Sequence, residues 1–145
     1  MDLWSFEDVK ELERNIADLP DTILKEQINL LGEKTNYVLY GKPMFVKVRS
    51  EEIDFKVATL FNIVVPSLDN YTKTLLIMYS NPEEEYPIAI TVGKEFAEDK
   101  DTFRPNYTCD NKEDFIETIR KILGSEDTIP MRKWPQCASM QRGSP

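Results

Sequence analysis

The sequence predicts an α+β fold, an antiparallel meander sheet of about four strands with two N-terminal helices and one C-terminal helix packed on it. Three observations carry that reading. Apolar residues recur at helical spacing before residue 32 and again after residue 111. Between these segments the pattern changes to the alternation of strands. The strand-like runs are joined by short turns, which suit antiparallel neighbours, since a parallel pair needs a crossover of about a dozen residues.

The first helix is announced by Ser5 and Asp8, which resemble a capping box, and by Phe6, Val9, Leu12 and Ile16 at helical intervals. Glu7, Asp8 and Glu11 lie where the helix dipole favours negative charge. Leu19-Pro20 ends that helix, because proline disfavours helix in the residue before it, and Pro20 can open the next at its first turn. Ile23, Leu24, Ile28 and Leu31 give the second helix its apolar face, with Gly32 expected as its C-terminal cap.

Tyr37–Tyr40 and Met44–Val48 flank Gly41-Lys42-Pro43, so this stretch is either a hairpin or one interrupted strand. Ile53, Phe55, Val57, Thr59, Phe61, Ile63 and Val65 then fill every odd position of a long predicted strand that Pro66 closes. Ser67 to Asn70 reads as a turn, Tyr71 to Ser80 as a strand, and Asn81 to Glu85 as another turn. Tyr86 to Val92 is the fourth strand, with Pro87 marking its beginning or an edge. Residues 94–110 read as a long polar loop. Phe115, Ile119, Ile122 and Leu123 form the stripe of the last helix, opened at Asp110 or Asn111 and capped by Gly124. The chain divides into a single α+β domain, 1–128, and an irregular tail, 129–145, that holds Trp134 and three prolines.

The predicted sheet is too apolar for one open face. Ala58, Leu60 and Val64 occupy the even face of the long strand, and Leu75 to Met78 make the next strand apolar on both sides. At about 25 cal/mol per Å², leaving several such side chains in water forgoes several kcal/mol. A cover is therefore expected: the chain's own tail or helices, a second copy in a homodimer, or a partner protein. Ala58, Leu60, Val64, Leu76 and Met78 are the candidate partner-contact face.

Composition excludes much chemistry. The chain has 145 residues, no histidine and a net charge of −8. Lacking histidine, it has neither the commonest general base nor Ser-His or Cys-His nucleophile pairs, and it loses most zinc chemistry. Its acidity opposes binding to nucleic acid or to an anionic membrane surface. The first residues form no signal peptide pattern, and no apolar run reaches the ~20 residues a membrane helix needs. The Asn-x-Thr triplets at Asn70 and Asn106 are accordingly read as chance matches. Cys109 and Cys137 make no metal or redox spacing, which suits the cytoplasm. Cys109 precedes a predicted helix, whose dipole could activate it with Lys112 beside it; an inert buried thiol is the expectation. Glu83-Glu84-Glu85 and the stretch Glu95, Glu98, Asp99, Asp101 read as solvated acids, since the calcium-loop frame is absent. Neither phosphate-loop nor nucleophile-elbow motifs occur. No cofactor, metal or catalytic residue is assigned.

Four short strings carry a resemblance: Leu31-Gly32-Glu33-Lys34-Thr35-Asn36, Val65 to Tyr71, Tyr86-Pro87-Ile88 and Gly124-Ser125-Glu126-Asp127-Thr128. In this order they resemble a group of small acidic bacterial α+β proteins of unassigned function. The resemblance implies a further amphipathic helix after residue 128, a pattern that Ile129-Pro130 and Trp134-Pro135 break. It implies no site residue. The residues favour a non-enzymatic, cytoplasmic protein-interaction module of the inhibitor, immunity or accessory type, whose acidity would steer a basic partner. The alternatives are an enzyme using carboxylates and Lys or Tyr around Glu83 to Tyr86, and a purely structural homo-oligomer.

Overall fold

The computed structural model describes residues 1–4 and 8–125. Within them the chain forms three helices and a five-stranded antiparallel sheet, one strand more than expected. The first helix, α1 (Val9–Ala17), is capped by Asp8, whose carboxylate accepts the Lys10 N–H at 2.9 Å. Ser5 and Phe6, the other expected signals of this start, lie outside the described residues, as does the tail from residue 129.

Helix α2 (Pro20–Lys34) opens on Pro20 and buries Leu24 and Ile28. It runs past Gly32, so the expected glycine cap is corrected. The cap is Thr35, whose hydroxyl lies 2.7 Å from the Leu39 carbonyl oxygen and 2.9 Å from that of Leu31, within reach to donate to either. Gly32 serves packing instead: a Cβ there would lie 2.7 Å from the Tyr37 ring. Helix α3 (Lys112–Gly124) begins at Asn111, whose side chain accepts the Asp114 N–H at 2.8 Å.

Strands β1 (Tyr40–Lys47), β2 (Val57–Val65), β3 (Tyr71–Asn81), β4 (Glu84–Val92) and β5 (Tyr107–Cys109) lie side by side in chain order. The open choice around Gly41-Lys42-Pro43 resolves as one continuous strand, β1. Gly41 is needed there because any Cβ would sit 2.8 Å from the Ile28 carbonyl oxygen of α2. The turn residues Asp69 and Asn70 adopt left-handed backbone angles, which Asp and Asn tolerate. Between Phe61 and Asn62 the β2–β3 register shifts, so that Leu75 and Leu76 both enter the same core cluster.

One sheet face packs under α2 and α3, where Leu24, Ile28, Phe61, Ile63, Met78, Ile90 and Phe115 meet. The opposite face carries its own buried cluster: Ala58, Leu60, Ile77, Tyr79 and Ala89 lie beneath Val48, Ile53, Phe55 and Ala97. Two sequence expectations change here. Ile53 and Phe55 are not strand residues on the Phe61 face; β2 begins at Val57, and both side chains fold onto the second face. The long polar loop is also corrected, because it contains β5 and supplies Phe96, Ala97 and Phe103 as cover.

Candidate functional site

The cover over the second face is built by aromatic rings. Tyr79 is fully buried, and its hydroxyl accepts the Ala97 N–H at 3.0 Å. The Phe96 ring stacks on Tyr79 with centroids 6.1 Å apart, and Phe103 meets it edge-on at 4.8 Å. Phe103 in turn contacts Phe55 at 6.0 Å, joining the two covering segments. The loop holds this position through its own hydrogen bonds. Asp99 accepts the Thr102 N–H at 2.8 Å, and Lys94 donates to the Arg104 carbonyl at 2.6 Å. Bonds from Thr102 hold the Asp99 carboxyl below its ordinary pKa.

The five residues expected to form one partner-contact face are therefore buried and divided. Ala58 and Leu60 belong to the second-face cluster, whereas Leu76 and Met78 belong to the core under the helices. Leu76 pairs with Phe61 and Met78 with Thr59, which turns both toward the helix side. Val64 is 4% exposed. The apolar excess read in the sequence is met by the chain itself, through segments whose few aromatic residues stand among many polar ones.

Other sequence candidates fall apart similarly. Glu83, Glu84 and Glu85 are exposed on the β3–β4 hairpin, with Lys56 3.9 Å from Glu83. Tyr86 turns inward against Phe115, and its hydroxyl is buried without a partner among the described residues. That burial, aided by the Glu85 charge, pushes the phenol up to about 12. Cys109 is fully buried, with its Sγ 3.5 Å from the Thr118 hydroxyl. Burial raises its pKa, which opposes a reactive thiolate. Cys137 lies outside the described residues. Among those residues no cluster of three or more potential ligands could hold a metal, and no helix is long and apolar enough to cross a membrane.

Exposed apolar side chains occur at the N-terminal segment and α1, where Leu3, Trp4, Val9 and Ile16 stand open, and in a tighter run on the β1 side of the molecule. Tyr37, Val38, Met44 and Phe45 are all exposed, at 63%, 55%, 50% and 60%. They wrap around the edge strand: Met44 pairs with Leu60 of the second face, and Phe45 pairs with Thr59 and lies below Lys25 of α2, 5.1 Å from its ring. Tyr37 has a left-handed backbone (φ +60°), an uncommon state for an aromatic residue. Lys42 and Lys47 fringe the same strand.

The edge lacks one outward donor for strand addition. The Val48 N–H donates to the Lys56 carbonyl at 2.8 Å, so ladder alternation points the N–H groups of even β1 residues at β2. Odd residues Gly41, Pro43, Phe45 and Lys47 face outward, and Pro43 has no N–H. Residues 37–66 hold three acids against four bases, a balance that residues 111–145 share at five against six, so the sequence gave no sign that the apolar side chains of this stretch stay uncovered. Comparison with known proteins returned no matching family model, no similar curated protein and no similar solved structure.

Proposed function

We propose that the protein is a non-enzymatic interaction module that engages a partner protein through the β1 flank. One observation supports this above the rest: four large apolar residues stay exposed within nine consecutive positions, 37–45, on a fold that covers most of both sheet faces. Aromatic and methionine side chains of this kind dominate the centres of protein interfaces. Lys25, Lys42 and Lys47 rim the patch, so the complementary surface has an apolar centre and an acidic border. The rim lysines favour acidic groups at this contact, whereas the basic partner expected from the sequence rests on the net charge of the whole chain.

The test is affinity capture from the native host with Phe45→Glu and Met44→Glu beside the parent chain, and Val9→Glu as an exposed control on α1. A partner retained by the control and lost by both β1 variants supports the reading. Capture that all four chains share equally, or no capture at all, overturns it.

A further inference from the structure

Asn62 stands in the middle of a strand whose neighbours Leu60, Phe61, Ile63 and Val64 are all apolar, and it is only 8% exposed. A buried amide is costly unless its hydrogen bonds are made. Its Oδ1 accepts the Thr74 hydroxyl at 2.6 Å. Its amide nitrogen has no partner among the described residues, and Asn62 lines a concavity of about 390 Å³ on the second face, beyond the aromatic cover. Lys42 and Tyr40 from β1 line the same concavity, and neither the ammonium nor the phenol hydroxyl is paired among the described residues. Val64 and Met44 supply apolar wall.

We propose that this corner of the sheet is a binding site for a small organic carboxylate with an apolar or aromatic body. The volume falls in the lower part of the range for small-molecule sites, which combine apolar lining with a few placed polar groups. The amide of Asn62 donates to the carboxylate from a fixed strand position, and Lys42 supplies the compensating charge. The ligand body lies on Val64 and Met44. The site goes beyond the partner-protein reading: Met44 and Lys42 belong to both surfaces, but Tyr37, Val38 and Phe45 do not line the concavity, so Phe45→Glu separates the two.

The experiment is an amide chemical-shift titration of the whole chain with benzoate and phenylacetate, with methyl benzoate as the uncharged control. The expected result is saturable shifts at Tyr40, Asn62 and Thr72 with the acids, at a Kd below about 10 mM, and none with the ester. Lys42→Glu, an exposed substitution that leaves the core alone, should weaken binding about tenfold or more. The isosteric Asn62→Asp should abolish it, with unchanged spectra elsewhere confirming the fold. Absence of saturable shifts, equal shifts with the ester, or undiminished binding by a folded Lys42→Glu chain overturns the site. Capture of the partner by Phe45 is read separately, so either proposal can fail alone.

Discussion

The hydroxyl of Tyr79 accepts a hydrogen bond from Ala97, whereas that of Tyr86 is buried without a partner among the described residues. Removing each should act in opposite ways. Tyr79→Phe leaves the buried Ala97 N–H unsatisfied and should cost about 1–3 kcal/mol in urea unfolding. It should also speed hydrogen exchange at Ala97. Tyr86→Phe removes an unpaid desolvation and should be neutral or stabilising. The same residue sets an alkaline limit. Its phenol titrates near 10 in the unfolded chain and at about 12 in the native one. Between those values the unfolded state has released the proton and the native state has kept it, so stability falls as pH rises. The fall should be shallower in Tyr86→Phe, as denaturant midpoints measured across pH 10 to 12 will show.

At the scale of elements, β1 and α1 differ in how they meet solvent. The edge strand β1 is protected by Pro43, which removes an outward donor from the centre of the edge. Pro43→Thr should therefore raise self-association, seen as larger species in sedimentation at fixed concentration. An unchanged mass distribution would mean that the lysines and twist protect the edge without the proline. Helix α1 buries none of its residues, and an ion pair of 2.6 Å between Lys112 and Asp18 links its C-cap to α3. Val9→Ser with Ile16→Ser should shift stability by no more than about 0.5 kcal/mol. The starts of α2 and α3 were legible in the sequence, because Pro20 and Asn111 act through backbone geometry or a local hydrogen bond, whereas α1 is capped by Asp8, three residues beyond the Ser5 expected to open it. The start of β2 was not, since Ile53 and Phe55 keep the strand's alternation while serving a loop that tertiary packing holds. Gly32 misled for a related reason: its need is space beside Tyr37, a residue that returns only after the helix ends. Neither Asn62 nor the exposed β1 flank could be recognised as a candidate, because alternation does not say which face finds a cover.

At the scale of the molecule, the second sheet face is closed by two segments far apart in sequence, 48–56 and 93–106, which meet where Phe55 touches Phe103. Each segment covers part of the face, and coupling through the Phe55–Phe103 contact would make the closure cooperative, so that its loss exposes Ile77, Tyr79 and Ala89 together. A double-mutant cycle on Phe55→Ala and Phe103→Ala should give a coupling of about 0.5–1.5 kcal/mol, the usual worth of an aromatic pair. The single variants should also bind a hydrophobic dye under native conditions, since either one unlatches apolar surface while the core beneath α2 and α3 persists. Strict additivity, with no dye binding by either variant, would show that the two segments cover the face independently. Each segment would then close its own part of the face that looked in the sequence like a site for a partner, and loss of one would leave the other part covered.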